Sequence, residues 1–217
     1  LLNGYGYPAV GAFPDTFSFG GQNLTTESYD PEGAKQVLEE AGWVDSDGDG
    51  IREKDGQDLV IRWLTYPSRQ ELPLLAESAQ ATLKEIGIDV QVNCTSDNNT
   101  IRKDPTLWDV YASAMVTAPT GDPQYFFTSC ALDSSVSNNG HYHSDRLEEL
   151  AAEMEKEFDT DKRSDLGIEM QQTVLDDHAY VFCSHLKMSM IMQSNVTGLV
   201  AHPCDFYEIT ADLKPAE

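Results

Sequence analysis

Residues 58–93 read "DLVIRWLTYPSRQELPLLAESAQATLKEIGIDVQVN", and this stretch decides the fold class. Its opening, residues 58–66, is apolar on both faces, which is typical of a strand inside a sheet. Residues 69–86 follow with apolar side chains at helical spacing, and Gly87 ends that helix. "IDVQVN" (88–93) alternates apolar and polar residues like a half-buried strand. Strand, helix and strand with short connections predict a βαβ unit, in which the two strands are parallel and the crossover is right-handed.

Outward from this unit, the patterns predict further helices and strands. Residues 1–28 are rich in Gly, Pro, Thr and Asn and predict extended loop. Asp30 and Pro31 begin a helix that Gly42 ends. Two later helices have Ser144 and Thr160 as predicted N-caps. Strands are predicted at 108–116 and within 179–193. The fold class is therefore α/β, with a mixed sheet and flanking helices.

Composition excludes several classes of protein. The chain has 217 residues, enough for one large domain or two small ones with a real core. It carries 37 acidic and 14 basic residues, a formal charge of −23, which argues against binding to nucleic acid or to an anionic membrane surface. No apolar run approaches the roughly 18 residues that span a bilayer. The first residues lack a signal peptide pattern and begin in loop-like composition, so we expect a fragment of a longer protein.

The four cysteines lie far apart and form no C-x-x-C pair. This spacing argues against a structural zinc site or a redox motif. An even number permits two disulfides, and burial as free thiols is an equal alternative. The residues are Cys94, Cys130, Cys183 and Cys204.

"WVDSDGDGIREKDG" (43–56) is similar to a calcium-binding loop. Asp45, Asp47, Asp49 and Gly50 match positions 1, 3, 5 and 6 of an EF-hand loop. Position 12, where the loop needs a bidentate acid, is Gly56. We therefore interpret the stretch as a turn between helix and strand, in which Asp and Gly tolerate left-handed backbone. A cut-down Ca²⁺ site remains the alternative.

A longer stretch carries a family resemblance. "YDPEGAKQVLEEAGWVDSDGDGIREKDGQDLVIRW" (29–63) resembles the opening of the C-terminal lobe of family 5 extracellular solute-binding proteins, the peptide- and nickel-type receptors of ABC importers. The likeness continues through "WDVYASAMV", "GDP" and "HYHSDRLEELAAE". It implies a type II periplasmic-binding-protein-like lobe over 29–217, with 1–28 crossing from a missing N-terminal lobe.

The resemblance also implies a function and a location. Such receptors enclose a ligand between two lobes, deliver it to an ABC permease and catalyse no reaction. They lie in the periplasm or, as lipoproteins, on the outer face of the cytoplasmic membrane. The expected ligand is a peptide, nickel or a chelated metal.

The predicted ligand wall is "MVTAPTGDPQYFF" (115–127), because ligands of open α/β sheets lie beyond the carboxyl ends of strands. Peptide-binding members are similar in having a tryptophan and an aspartate here, and the acid pairs with the peptide ammonium group. This chain lacks that tryptophan, and its aspartate belongs to a structural-looking "GDP". The loop is closer to the nickel-binding branch. The candidate ligand-binding residues are Val116, Thr117, Ala118, Thr120, Asp122, Tyr125 and Tyr142.

"NNGHYHSD" (138–145) supplies candidate metal ligands. His141 and His143 flank Tyr142, and neutral imidazoles suit nickel and other late transition metals. In nickel-binding relatives a histidine at a comparable position faces the cleft. The resemblance implies the same position for His143 or His141. The alternative is that both are surface residues beside a helix start.

Two functions of other classes remain open. A metal-dependent hydrolase would use His141, His143 and an aspartate, but the sequence contains neither G-x-S-x-G nor H-E-x-x-H. A calcium-stabilised structural module would be built around Asp45–Asp49.

Overall fold

The computed structural model describes residues 1–201 and 209–216. The chain divides into two compact units. The first comprises Glu27–Met115 together with Leu1, and the second comprises Leu2–Thr26 and Val116–Glu217. Helices and sheets occur in both units, which confirms the α/β class. Within the described ranges, none of the helices combines the length and apolar character needed to cross a membrane.

The first unit is built on a three-stranded parallel sheet, with β4 (Val60–Thr65) in the centre between β5 (Asp89–Cys94) and β6 (Val110–Tyr111). Ile61 lies opposite Val90, and Trp63 lies opposite both Val92 and Val110. The predicted parallel pair and its connecting helix are confirmed. The elements are α1 (Pro31–Glu40), β2 (Glu53–Lys54), β3 (Gln57–Asp58), β4 (Val60–Thr65), α2 (Glu71–Lys84), β5 (Asp89–Cys94), α3 (Asn98–Ile101), a 3₁₀ turn (Pro105–Leu107) and β6 (Val110–Tyr111).

The charged and apolar residues of α2 stand at positions that favour a helix. Glu71 lies in the first turn and Lys84 in the last, so both side chains complement the helix dipole. Leu72 and Ala76 are buried one turn apart. After the helix, Gly87 has a φ of +88°, a left-handed conformation that glycine adopts without steric cost. The sequence therefore encodes both the helix and its end.

The second unit is mainly helical around one apolar core. Its strands form two antiparallel pairs, β1 with β7 and β8 with β9. Phe13 and Phe127 are fully buried, as are Leu150 and Met154 of α5. The elements are β1 (Gly6–Pro8), a 3₁₀ turn (Gly21–Asn23), α4 (Gln124–Phe126) continuing into a π-helical segment (Phe127–Ala131), α5 (Asp145–Met154), α6 (Thr160–Asp176), β7 (Ser184–Leu186), β8 (Val196–Thr197) and β9 (Lys214–Pro215).

Gln171 of α6 attaches the amino-terminal segment to the core of the second unit. Its side chain is fully buried. Its Oε1 accepts a hydrogen bond from Ala12 N at 3.0 Å, and its Nε2 donates to Phe19 O at 2.8 Å. A Cβ on Gly11 would lie 2.6 Å from Oε1, so glycine is required for this close approach. A polar side chain therefore holds residues 11–19 against the helix.

Several predicted boundaries were wrong. The strand predicted at 108–116 is limited to β6, and the one within 179–193 is limited to β7. Asp159, not Thr160, caps α6, since its carboxylate accepts from the backbone N–H of Asp161 and Lys162. Ser144 occupies the N-cap position of α5 but makes no side-chain capping bond. Sequence propensity located these segments, but their ends depend on the backbone hydrogen bonds and caps that each segment makes in the fold.

No disulfide joins Cys94, Cys130 and Cys183 to one another. Cys130 is buried, whereas Cys94 and Cys183 are exposed. Disulfides between these three are therefore excluded. Cys204 lies outside the described residues.

Candidate functional site

The aspartate loop of the first unit brings three carboxylates together. Single carboxylate oxygens of Asp45, Asp47 and Asp49 all lie within 4.8 Å of one another, and all three residues are exposed. Asp45 accepts hydrogen bonds from Gly48 N at 2.8 Å and from Gly50 N at 3.0 Å. The loop is thus a series of turns in which aspartate side chains bind the backbone two to five residues ahead.

The residues after this loop form a hairpin, not the second helix of an EF-hand. Strands β2 and β3 are antiparallel, and Asp55 and Gly56 between them have φ values of +54° and +74°. Positive φ at both central residues is typical of a type I′ turn. The position of the missing twelfth ligand is therefore the tip of a turn. This geometry supports the turn interpretation over the calcium site.

We expect the melting temperature of the chain to be the same in CaCl₂ and in EGTA. Both carboxylate oxygens of Asp45 are already occupied by backbone N–H groups, and no acid stands at position 56. Differential scanning calorimetry measures this. The Asp45→Ala variant is the control, and it should melt at a lower temperature by the same amount in both buffers. A rise in melting temperature with calcium that Asp45→Ala abolishes would establish a cation site instead.

The predicted ligand loop of the second unit exposes some of its side chains and buries others. Val116 and Tyr125 are 42% and 45% exposed, and Thr120 is also exposed. Ala118 is buried in the apolar core, and Thr117 is half-buried. The loop therefore offers Val116, Thr120 and Tyr125 to a ligand, while Ala118 anchors it.

Asp122 holds the end of this loop. Its two carboxylate oxygens each accept a hydrogen bond from the guanidinium of Arg163 at 2.8 Å, and Oδ1 also accepts from Gln124 N at 2.9 Å. Burial alone would raise the pKa of Asp122, but the hydrogen bonds from Arg163 and Gln124 outweigh it and keep that pKa below its ordinary value. Asp122 is thus ionised and fully occupied within the protein, and its contacts match the structural character of "GDP".

Glycine on α6 permits this loop to pack closely. A Cβ on Gly167 would lie 2.7 Å from the Cβ of Pro123, so any larger residue would displace the loop. Together with the ion pair between Arg163 and Asp122, this contact fixes the loop to α6.

Tyr142 packs against the same core cluster as Ala118. Its hydroxyl donates to Asp177 Oδ2 at 2.6 Å. Burial, followed by the hydrogen bond to the Asp177 carboxylate, raises the pKa of Tyr142 to about 12. Its hydroxyl is therefore neutral at physiological pH and held in place.

His143 is placed between two carboxylates. Its Nδ1 lies 2.9 Å from Asp133 Oδ2, and its Nε2 lies 3.4 Å from Asp145 Oδ1. The hydrogen bond with Asp133, reinforced by the charge of that carboxylate, raises the pKa of His143. A carboxylate that binds one ring nitrogen orients the other, which is the common arrangement of metal-binding histidines. His141 is exposed and has a φ of +52°.

No local sequence pattern indicates three of the residues that position this site. Arg163, Asp133 and Asp177 lie 41, 10 and 35 residues from the partners they bind. Only contacts between distant parts of the chain reveal them. Asp45, Asp47 and Asp49, in contrast, lie in the stretch that the sequence indicates as a turn or a cut-down Ca²⁺ site, and their spacing is local.

Comparison with known proteins places this chain among binding proteins. The sequence model of the bacterial extracellular solute-binding proteins, family 5 Middle, matches residues 1–138. The oligopeptide-binding protein AppA of Bacillus subtilis is 28% identical over 185 residues, which are 83% of this chain and 34% of that protein. The nickel-binding protein NikA of Staphylococcus aureus is 25% identical over 171 residues, 77% of this chain and 32% of that protein. The chain thus spans about a third of the length of these relatives.

Solved structures have the same fold. The nickel ABC transporter from Bacillus halodurans superposes with a TM-score of 0.76 at 26% identity, covering 100% of this chain and 45% of that one. AppA from Bacillus subtilis, in complex with a nonapeptide, superposes with a TM-score of 0.75 at 22% identity, covering 100% and 44%. The match to the family over more than half of the residues identifies the chain: it belongs to family 5 of the bacterial extracellular solute-binding proteins.

Proposed function

We propose that this chain is part of the substrate-binding component of an ABC importer, which captures a small ligand outside the cytoplasmic membrane and delivers it to the permease. The family match over residues 1–138 carries this proposal. Residues 29–217 would form the C-terminal lobe, and 1–28 the segment that enters it. The packing of residues 2–26 within the second unit supports their close association with this lobe. The ligand would be enclosed only when a second lobe closes, as in other hinged receptors.

For the ligand we favour nickel or a chelated metal over an ordinary peptide. A peptide ammonium group needs a free carboxylate, and both oxygens of Asp122 are bound by Arg163. His143, in contrast, has Nδ1 fixed by Asp133, and a metal would coordinate Nε2 by replacing the contact of that nitrogen with Asp145 Oδ1 at 3.4 Å. The exposed side chains of Val116, Thr120 and Tyr125 would contact the organic part of a chelate. Tyr142 and His141 complete the proposed wall.

We expect the full-length receptor purified from cells to carry nickel or a metal chelate, and native mass spectrometry detects it as an intact complex. His143→Ala should lose most of this bound mass, because the change removes the oriented imidazole. His178→Ala is the matched control, since His178 lies in a surface turn after α6 and should retain the ligand. A co-purified peptide, retained equally by both variants, would contradict the metal proposal but not the receptor function.

An assay of turnover on peptide and ester substrates tests the receptor function itself. The relatives that match are named as binding proteins, and we expect no turnover of peptide or ester substrates. Activity that disappears on changing both His141 and His143 to alanine would establish the metal-dependent hydrolase instead.

A further inference from the structure

Three of the six methionines of the chain stand at alternate positions of one short segment. They are Met188, Met190 and Met192, in "KMSMIMQ" (187–193). Alternate apolar residues are typical of a half-buried strand, and methionine fills irregular gaps in protein cores well. If packing were the reason for this pattern, the segment would lie in a sheet that covers an apolar core.

The structure places the segment elsewhere. Residues 188–192 lie between β7 and β8, in no helix, strand, turn or bend. Met188 is 75% exposed and Met192 49%, while Met190 is half-buried. Within the described part of the chain, neither of the two apolar core clusters includes any of the three. Burial in a core therefore does not account for these thioethers.

The spacing directs the three side chains to one side of the segment. A chain without turns or bends points alternate residues the same way, about 6.6 Å apart. Ile191 is 94% exposed, far more than Met190 and Met192 on either side of it, so the two methionines share the more protected side. A methionine side chain has three rotatable bonds, and neighbouring sulfurs at this spacing can therefore turn toward one ion.

The backbone of the segment is free to adjust to such an ion. Lys187 N still donates to Tyr5 O at 2.7 Å, beside the pair of β1 and β7. Among the residues that the structure describes, none makes a backbone hydrogen bond with residues 188–192. Small rotations that gather the sulfurs would consequently break no ladder.

We propose that Met188, Met190 and Met192 form a binding site for a soft monovalent metal ion, Cu(I). Thioether sulfur is a soft ligand, and soft ligands select Cu(I), whereas Mg²⁺ and Ca²⁺ prefer oxygen. A thioether carries no proton, so binding releases none. The formal charge of −23 favours cations, and the neighbouring Lys187 is exposed, so its ammonium group can remain in water. The site uses none of the residues of the proposed ligand wall and does not depend on the receptor function.

Competition against the coloured Cu(I) chelator bicinchoninate tests the proposal on the full-length receptor, without oxygen and with ascorbate to keep the copper reduced. We expect the wild type to bind one Cu(I) more than the triple variant Met188→Leu, Met190→Leu and Met192→Leu. Leucine keeps the apolar volume and removes the sulfur, so the melting temperature should stay unchanged. Each single change should weaken binding several-fold. Met170→Leu is the matched control, because Met170 is 1% exposed in the core and its sulfur cannot reach the ion.

X-ray absorption at the copper edge identifies the ligand atoms. We expect sulfur neighbours, and the same spectrum at about pH 5, where an ordinary imidazole is protonated and a thioether is unchanged. Ag(I), which is soft and does not change its oxidation state here, should compete for the same site.

Three results would overturn the proposal. They are equal Cu(I) binding by the wild type and the triple variant, a spectrum of nitrogen neighbours alone, or a bound ion that His143→Ala removes and the triple variant keeps. Delivery of the transported ligand enters none of these measurements, so a failure here is distinct from a failure of the receptor function.

Discussion

Replacement of Gln171 by leucine is expected to lower the free energy of unfolding by about 2–4 kcal/mol, because a buried donor or acceptor left without a partner costs about 1–3 kcal/mol. Leucine preserves most of the volume but accepts nothing from Ala12 N and donates nothing to Phe19 O or Gly167 O. These backbone groups remain buried beside an apolar side chain. Urea denaturation followed by circular dichroism measures the loss.

Gln172→Leu is the matched control, one residue further along the same helix. Gln172 also binds the amino-terminal segment, through Thr25 N at 2.9 Å and Thr25 O at 3.0 Å, but these hydrogen bonds are exposed. Water can replace them, so we expect a loss below about 1 kcal/mol. If both variants lost the same stability, burial would not be the reason for the role of Gln171. Hydrogen exchange should place the loosening at residues 11–19 in Gln171→Leu.

Local patterns predicted the first unit well. The stripe of apolar residues in α2 and the alternation in β5 depend on neighbours a few positions away, and the parallel pairing of β4 with β5 follows from the short crossover. The carboxylate cluster at Asp45, Asp47 and Asp49 was likewise within reach of the sequence, because one turn brings these residues together.

The second unit depended on contacts that no local pattern contains. Residues 1–28 have a loop-like composition, yet Phe13 is fully buried, because Gln171 binds the backbone on either side of it from 159 and 152 positions away. Met188 lies in the range 179–193, within which strands were predicted. It is 75% exposed and outside any strand, since β7 ends at Leu186 and leaves no partner for further alternation. The sequence shows which residues are apolar, but only the packing of helices and strands against one another determines which of them are buried.

The same limit applies to the ligand loop, whose stability depends on Arg163. This side chain is 15% exposed. It binds Asp122 with two parallel hydrogen bonds and also donates to Met154 O at 2.6 Å and to Glu157 O at 2.9 Å. The planar guanidinium group of Arg163 thereby joins the loop, the end of α5 and the start of α6. A lysine could not make these contacts with its single ammonium group. The sequence identified "GDP" as structural without revealing this partner.

Arg163→Met is expected to lower the free energy of unfolding by about 2–3 kcal/mol at neutral pH, because it removes the charge-assisted hydrogen bonds to Asp122 and the guanidinium donors of two backbone carbonyls. Arg163→Lys should recover only part, since it keeps the charge and loses the paired geometry. Arg146→Met, which removes surface ion pairs with Glu149 and Glu169, is the control and should change stability little.

Acidification gives this prediction a sharper test. The pKa of Asp122 is depressed in the folded chain, so its ion pair stabilises the fold above the unfolded pKa of about 3.9 and stops doing so as pH falls through the folded value. The stability difference between wild type and Arg163→Met should therefore shrink below about pH 4. NMR titration should find the pKa of Asp122 raised in Arg163→Met, because only the hydrogen bond from Gln124 N then opposes the effect of burial. An unchanged pKa would mean that Arg163 does not hold the loop through Asp122, and the rigid wall on which the ligand proposal rests would be lost.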